Sequence, residues 1–420
     1  MEKTKEKNGF LFNLLLMTIF FNIWFPKAGI KVAGIPLTVG NVFLAITFIC
    51  WLYKKIVEGH VTVHKIGYSI MILMVFSLVK YVVMGDILSN IGYVIPLVIY
   101  PLIFFIAYDL IDNKQKEQRI INVICFGFFF ISIYALLQYI FGIEKVCIPG
   151  ITVNLSDYIK YGSKWYLQKN NNNAGVGTKI ISTFQNGNLY GVNTLLIFPI
   201  AYQFFKEKNK NSIMYISLIL FVICVFLSLS RACWVGIILF MLFGIFLENE
   251  KTQKSFYRKI VMIFLCFMLV IFSFKYFPTI ATRLSSMDKS DIISMSGRTE
   301  GLQDVVKNFN EYKYAFIWLI GSKGFIERVG LAYEMTPLAM LVQIGLIGLL
   351  LFYGILYNVW KSMNKKMWLQ NAIKLSIFIW VVVGCIEGAF WLPPTALNIF
   401  LLLAIGLANQ KYIEEKGGKK

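Results

Sequence analysis

The sequence has few residues that bind metals, and their spacing does not favour a metal site. Histidine occurs only twice in 420 residues, at His60 and His64. Their i, i+4 spacing suits a metal on a helix, but no third ligand lies nearby in the sequence. Of seven cysteines, six fall inside apolar stretches, only Cys147 lies in a polar one, and none belongs to a CxxC pair. We therefore predict no metal and no cofactor, and we expect the cysteines to be packing residues.

Two motifs of nucleotide chemistry are also missing. The chain has no Asp-x-Asp pair to carry a metal-bound sugar nucleotide, and no GxxxxGK phosphate loop. These absences argue against a soluble nucleotide-sugar donor and against transport driven by ATP.

Charge is scarce, and apolar residues dominate. Only 15% of the residues are charged, whereas 58% are hydrophobic and 16% are aromatic, which is more than a soluble core of this size requires. In a soluble domain the net charge of +19 would suggest nucleic acid. Here the basic residues form short runs between apolar blocks, as topology signals do. We therefore predict a membrane protein with no nucleic-acid partner.

Twelve apolar blocks could form membrane-spanning helices, with centres near residues 18, 45, 75, 99, 130, 197, 221, 240, 268, 349, 382 and 402. The first block, Phe10 to Phe25, lacks a small-residue cleavage pattern, so we interpret it as a retained span and not as a signal peptide. Basic residues recur in every second connection and in both tails. The sequence thus predicts an all-α integral membrane protein, one polytopic domain over 1–420, with about twelve helices and both termini in the cytoplasm.

The first of two long outer connections, 142–187, interleaves aromatic residues with lysines and then carries the run Asn170 to Asn173. Aromatic faces and amides suit sugar rings, which stack on the former and hydrogen-bond to the latter. A polar loop beside an interfacial aromatic belt would have the same composition. Both interpretations stay open at this point.

The second and larger outer connection, 278–337, lies between the ninth and tenth predicted helices. Apolar residues recur with helical spacing from Thr299 to Phe309, which predicts a short amphipathic helix on the membrane surface. The same connection carries a lone acid near its end, Glu334, and three arginines, Arg283, Arg298 and Arg328. We predict that this loop is catalytic.

Two arginines occupy positions that are unfavourable for a cation unless an anionic ligand lies nearby. Arg231 lies at a turn between two apolar blocks, and a cation drawn into the hydrocarbon there would cost roughly 2.5 to 3.5 kcal/mol. Arg298 precedes the predicted surface helix, where a cation is poorly matched to the helix dipole unless a phosphate lies between them. A snorkelling side chain at Arg231 and a solvated one at Arg298 are the alternatives.

Three patches of sequence together resemble the superfamily of O-antigen polymerases and O-antigen ligases. The first runs from Lys179 through Thr183-Phe184 and Asn188 to Gly191. The second is Ser230-Arg231. The third extends from Ser296-Gly297-Arg298 through Gly321 and Gly324 to Glu334 and the helix with Gly345-Leu346-Ile347-Gly348. Ligases of this superfamily usually carry a histidine before the Gly-x-x-Gly helix, where this chain has Pro337 and its neighbours, so the resemblance favours a polymerase.

The resemblance implies a glycosyltransferase that uses polyprenyl-diphosphate-linked glycans without a metal. Arg231 and Arg298 could hold the charge that develops on the diphosphate, since guanidinium forks match its oxygens. Glu334 could be the general base for the acceptor hydroxyl, with Glu387 as the rival. Further substrate-binding residues would be Lys179, Asn188, Arg283, Arg328 and Glu387 itself.

We therefore expect a polymerase of bacterial surface polysaccharide, such as O-antigen or capsule repeat units. It would join undecaprenyl-diphosphate-linked glycans at the outer face of the cytoplasmic membrane, with the lipid bilayer and a chain-length-regulating membrane protein as partners. An O-antigen ligase-type transferase, or a lipid-linked glycan flippase or other transporter, are the alternatives. Transporters place functional charges near the membrane midplane, whereas the charges singled out here lie in outer segments.

Overall fold

A computed structural model describes most of the chain. It covers residues 2–32, 35–61, 63–83, 91–161, 164–167, 179–245, 316–321, 335–364, 367–391 and 394–417, and the single residues 257, 260, 264, 268 and 271. The protein is mostly helical (81%), and the strands in the described part form two short hairpins. The predicted all-α membrane architecture is confirmed at this level.

Seven helices precede the first long outer connection or open it. Their bounds are α1 Glu2–Trp24, α2 Val39–Glu58, α3 Lys65–Val83, α4 Ile91–Val94, α5 Leu102–Leu110, α6 Lys114–Phe141 and α7 Ile143–Val146. A π-helical turn, Ile95–Ile99, follows α4. Both ends of α2 are capped. The Thr38 side chain accepts a hydrogen bond from Asn41 N at its start, and Gly59 ends the helix in the left-handed conformation, at φ 70°.

The remaining helices are α8 Gly187–Glu207, α9 Asn211–Leu227, α10 Arg231–Leu239, α11 Phe316–Ile320, α12 Thr336–Ser362, α13 Trp368–Gly384 and α14 Thr395–Gly417. A π-helical segment, Phe240–Ile245, continues α10, and a 3₁₀ turn, Ala389–Trp391, lies before α14. Every predicted apolar block coincides with described helical structure except the one near residue 268, where individual residues alone are described.

Four described helices, α2, α3, α6 and α12, are long and apolar enough to cross a membrane. Six shorter apolar stretches accompany them: Gly9–Trp24, Ile95–Leu110, Asn211–Leu227, Arg231–Phe243, Trp368–Gly384 and Thr395–Gln410. The helices are those of a membrane protein, and the number of twelve spans stays a prediction.

Helix α8 lies at the centre of the described bundle. Nearly all of its residues from Gly187 to Phe205 are buried, as expected of a helix that is apolar on all sides and surrounded by others. It packs on α6, α9, α10, α13 and α14. Because α8 is enclosed in this way, its first turn is held in a fixed place at one end of the bundle.

The described part of the first outer connection is tied to a hairpin from the chain start. Strands β1 Gly29–Val32 and β2 Ile35–Thr38 pair antiparallel, and Lys31 N donates to Ser156 Oγ over 2.9 Å. Asp157 forms ion pairs with Lys27 (3.1 Å) and Lys31 (2.5 Å). A second hairpin, β3 Tyr158–Tyr161 and β4 Lys164–Leu167, follows and includes most of the interleaved aromatic residues and lysines. The run Asn170 to Asn173 lies outside the described residues.

Helix α12 is broken inside its apolar stretch. Gly345 has φ 65° and ψ −173°, a conformation that is essentially restricted to glycine. An added Cβ at Gly345 would overlap the Leu319 carbonyl, and one at Gly321 would lie 2.7 Å from Gln343 O. The end of α11 therefore docks backbone to backbone on the break, which explains both glycines.

Candidate functional site

The start of α8 and the turn between α9 and α10 lie side by side. Ile180 N donates to Leu227 O over 3.3 Å. An added Cβ at Gly187 would overlap the Ser228 carbonyl, and one at Gly191 would lie 2.6 Å from Cys233 Sγ. Because both helices start here, two of the three predicted sequence patches, around Lys179 and around Arg231, come together in space.

Two non-glycine residues at this junction have left-handed backbones, Ser182 at φ 50° and Leu229 at φ 52°. Gln138 of α6 holds the first in place: its Oε1 accepts from Ser182 N (2.7 Å), and its Nε2 donates to Ser182 O (2.8 Å). The Ser182 hydroxyl also donates to Ile131 O over 2.7 Å. Such conformations persist only where the surroundings determine them, and they concentrate at functional sites.

Charged residues of both signs meet at this end of the bundle. The Cys233 thiol in the first turn of α10 interacts electrostatically with Lys179 and with Glu387. Lys179, Arg231 and Glu387 are all half-buried, and each has an interaction partner within the protein. Two cationic side chains and one carboxylate therefore share one partly enclosed region.

Glu387 is fixed through its backbone at the start of α12. The Thr336 hydroxyl donates to Glu387 O over 2.9 Å, and Thr336 is the first residue of α12. The C-terminal end of α13 and the N-terminal end of α12 therefore border the same site as α8 and α10.

A buried amide cluster supports α8 from behind. Asn193 Nδ2 donates to Leu189 O (2.9 Å) and to Thr395 Oγ1 (3.0 Å). Asn398 Nδ2 donates to Asn193 Oδ1 over 2.9 Å. These bonds join the start of α14 to the first turns of α8, so the described site has a rigid frame.

Several buried polar atoms at the junction have no hydrogen-bond partner in the described part of the chain. They are Thr183 Oγ1, Asn188 Oδ1, Ser230 Oγ and Trp234 Nε1. Leaving such groups unpaired costs free energy. Their concentration around two helix starts marks a polar site that a ligand or solvent would complete.

The other predicted site residues fall outside the described part of the chain. These are Arg283, Arg298, Arg328 and Glu334, together with the surface helix predicted from Thr299 to Phe309. The pairing of Arg231 with Arg298 and the role of Glu334 therefore stay predictions, while Lys179, Asn188, Arg231 and Glu387 have the surroundings described above.

Sequence reasoning missed two buried polar residues, Gln138 at the junction and Lys80 beside α12. Gln138 is a lone amide in the apolar end of α6, and Lys80 is a lysine 6% exposed near the end of α3. A solitary polar residue inside an apolar block was the available signal for both. Lys80 lies over the Tyr81 ring (4.5 Å), and Tyr81 Oη donates to Gln343 Oε1 over 3.1 Å.

The two histidines contact different residues. His60 Nδ1 lies 3.0 Å from Glu58 O, and the His64 ring packs at 5.5 Å from that of Tyr108. In the part of the chain that the structure describes, no three His, Cys, Asp or Glu residues come together as metal ligands would.

Comparison with known protein families, curated proteins and solved structures finds no match to this chain.

Proposed function

We propose that the protein polymerises bacterial surface polysaccharide, such as O-antigen or capsule, from lipid-linked repeat units. The observation that supports this most is that the half-buried Lys179, Arg231 and Glu387 all lie around the junction of α8 and α10. The substrate would carry its glycan on undecaprenyl diphosphate in the cytoplasmic membrane, with both protein termini inside the cell.

The reaction needs the groups that this region contains. An acceptor hydroxyl of one repeat unit attacks the anomeric carbon of a second, lipid-linked glycan. The new C–O bond forms as the bond to the diphosphate breaks, the carboxylate takes the hydroxyl proton, and the lipid diphosphate leaves with the electron pair. Arg231 and Lys179 would stabilise the negative charge on the leaving group. Glu334 is our proposed base, and Glu387 is the rival because it lies in this region.

Substrate delivery also fits a site at a helix end. A polyprenyl tail stays in the hydrocarbon while its diphosphate lies at the interface, so the cations must be at the boundary and not in water. Arg231 is the first residue of α10, half-buried, which is such a place. Asn188, in the first turn of α8, supplies an amide for a sugar hydroxyl. A membrane protein that regulates chain length would be a further partner.

A transporter of lipid-linked glycans is the second candidate, because of the break in α12. Gly345 is nine residues after Thr336, so the break lies roughly 13 Å along the helix, and discontinuous helices line the binding sites of many transporters. The buried Lys80 and the Tyr81–Gln343 bond lie on the helices at this break. However, α11 fills the break with its own backbone, and for this reason we favour the enzyme.

A deletion strain separates the two functions. If the protein is a polymerase, cells without it should display single repeat units on their outer surface, detectable as one-repeat lipopolysaccharide or free lipid-linked repeat accessible to external glycosidase. Repeat units retained on the cytoplasmic side would show that the protein translocates them. A ligase-type enzyme is recognised by a third pattern, full-length polymer that stays on the polyprenyl carrier.

A further inference from the structure

The junction of α8 and α10 has features that favour an anion in addition to the charge of Arg231. The starts of two helices lie against each other there, since Cys233 of α10 is 3.9 Å from Asn188 O of α8 and Gly187 abuts Ser228. Helix starts present free N–H groups and the positive end of the helix dipole. Two such ends in contact attract negative charge to one spot.

The two helix starts differ in how they are capped. The Asn186 side chain accepts from Leu189 N and caps α8 over 2.8 Å. Ser230 occupies the N-cap position of α10, yet its side chain makes no capping bond. A serine in this position normally satisfies one of the free N–H groups of the first turn. The start of α10 is therefore left open.

Buried hydroxyls without partners point to the same ligand. Ser230 is 2% exposed and Thr183 is fully buried, and neither hydroxyl bonds to an oxygen or nitrogen atom among the described residues. The Ser230 hydroxyl lies beside the Cys233 thiol, which is a weak hydrogen-bonding group. In the first turn of α10, Trp234 Nε1 is a third buried donor to which the described part of the chain offers no partner.

We infer that the start of α10, with the Ser230 and Thr183 hydroxyls, binds the diphosphate of the polyprenyl carrier. We call this set of groups the α10 anion cradle. The hydroxyls and the Ala232 N–H of the first turn donate to diphosphate oxygens, and Lys179 and Arg231 balance the charge. The identification of the anion as a lipid diphosphate rests on the proposed function, whereas the anion site itself does not.

The test uses the full-length protein, purified in detergent, with inorganic pyrophosphate as the probe and titration calorimetry as the readout. Removing a hydroxyl that bonds to a charged group should weaken binding by about tenfold. We expect this loss in Ser230→Ala and in Thr183→Val. Ser230→Thr keeps a hydroxyl at the N-cap and should bind pyrophosphate as the wild type does, which separates the lost bond from a misfolded helix start.

Two control variants match these changes in chemistry and burial. Thr194 on α8 and Ser217 on α9 are fully buried, and their hydroxyls donate to Tyr190 O (2.8 Å) and Met214 O (2.7 Å) of their own helices. Thr194→Val and Ser217→Ala should leave pyrophosphate affinity unchanged. The same pyrophosphate affinity in Ser230→Ala and Thr183→Val as in the two control variants, whether normal or equally reduced, would overturn the cradle.

A second arm identifies the source of the anion. In nanodiscs, polyprenyl diphosphate should displace pyrophosphate from the wild type and should lose affinity in Ser230→Ala, whereas phosphatidylglycerol should do neither. Competition by phosphatidylglycerol at equal concentration would make this a general headgroup site and overturn the assignment to the carrier.

The outcomes separate the cradle from the proposed function. If purified Ser230→Ala and Thr183→Val bind pyrophosphate as the wild type does, while the deletion strain shows the polymerase phenotype, the cradle is wrong and the polymerase stands. If both variants lose pyrophosphate affinity, while deleting the protein leaves the polymer unchanged, the anion site stands and the polymerase is wrong.

Discussion

At the scale of single residues, a substitution can test whether the hydrogen-bonding geometry of the Arg231 guanidinium matters in addition to its charge. A guanidinium donates two parallel hydrogen bonds to a phosphate, whereas an ammonium acts as a point charge. Arg231→Lys should therefore keep the charge and lower polymer formation by about two orders of magnitude, the lower end of the effect of losing one such donor in the transition state. The same change at Arg298 tests the predicted clamp. Polymer length and amount in a complemented deletion strain are the measurements.

The control for Arg231→Lys is Arg119→Lys. Arg119 is exposed at the opposite end of the bundle and donates from Nη2 to Asn13 Oδ1 over 3.0 Å. This variant should make polymer of normal length. Normal polymer from both the Arg231 and the Arg298 variants would rule out a diphosphate clamp made of guanidinium groups.

The identity of the base is a second prediction at this scale. Glu334→Gln keeps size and hydrogen bonding but removes the base, so polymer should fall to background while the protein level stays normal. Glu387→Gln should reduce activity less, because in our proposal this carboxylate contacts substrate without taking the proton. Glu144→Gln, an exposed change in the first outer connection, should have no effect. Loss of polymer in the Glu387 variant with normal polymer in the Glu334 variant would transfer the role to Glu387.

The sequence could indicate some of these residues and not others, for a physical reason. Arg231 stands out locally, because a cation between two apolar blocks is costly. The role of Gln138 depends on Ser182, which is 44 residues later in the chain, and no local pattern encodes such a contact. Ser230 and Thr183 are ordinary in composition, and their significance arises only from burial without a partner.

At the scale of elements, the break in α12 offers a comparison within one helix. Gly345→Ala would place a Cβ against the Leu319 carbonyl in a conformation that alanine avoids. We expect it to destabilise the protein by more than about 2 kcal/mol. Gly354→Ala, in the regular part of the same helix with nothing within 4 Å of its Cβ position, should be neutral or stabilise by up to about 1 kcal/mol. Thermal unfolding of both variants in detergent measures the difference.

Equal unfolding midpoints for the two glycine variants would show that the break does not depend on Gly345. The sequence identified Gly345 within a Gly-x-x-Gly pattern but could not show the break, because glycine also occurs in regular membrane helices. Gly354 is such a case. The backbones of Leu319 in α11 and of Gly321 just after it lie against the break, and neither residue belongs to the local sequence pattern of α12.

The ion pairs between the first hairpin and the segment at Asp157 should make stability depend on pH. Burial raises the pKa of the Asp157 carboxyl, but the hydrogen bond from Lys31 and the charge of Lys27 outweigh it, so the pKa is lowered. The carboxylate therefore stabilises the fold above its unfolded pKa of about 3.9, and this contribution is lost as the pH falls through the lower folded value. Burial lowers the pKa of Lys27, an effect that Asp157 offsets only in part.

Asp157→Asn should accordingly lower stability at pH 7 by more than about 1 kcal/mol, since it leaves Lys27 buried without its partner carboxylate. The control is Asp112→Asn, which breaks the exposed pair with Lys116 (2.7 Å) and should change stability by less than about 1 kcal/mol. Unfolding midpoints between pH 3 and pH 7 should fall towards acid in the wild type and less so in Asp157→Asn. Parallel curves for these two proteins would contradict the role given to this ion pair.

At the scale of the whole molecule, the apolar blocks predicted where helices form, because length and hydropathy suffice for that. They could not predict how the helices associate. That α8 lies in the middle follows from packing on five other helices. Likewise, at the far end of the bundle a buried bond joins Asn409 of α14 to Glu117 of α6 (2.5 Å), 292 residues away in sequence. A second one joins Gln370 of α13 to Asn409 (3.1 Å). The predicted orientation of the spans depends on the pattern of basic residues alone.

The positive-inside pattern predicts that the candidate site faces outward. This orientation can be measured with single cysteines in a variant whose native cysteines are replaced by serine and which still makes polymer. Leu155→Cys lies in the first outer connection, 42% exposed, on the side of the site. Asp112→Cys is exposed between α5 and α6 at the other end. In intact spheroplasts a membrane-impermeant maleimide should label Leu155→Cys at once and Asp112→Cys only after permeabilisation. The reverse order would place the site in the cytoplasm, where lipid-linked repeat units are assembled, and polymerisation at the outer face would then be wrong for this protein.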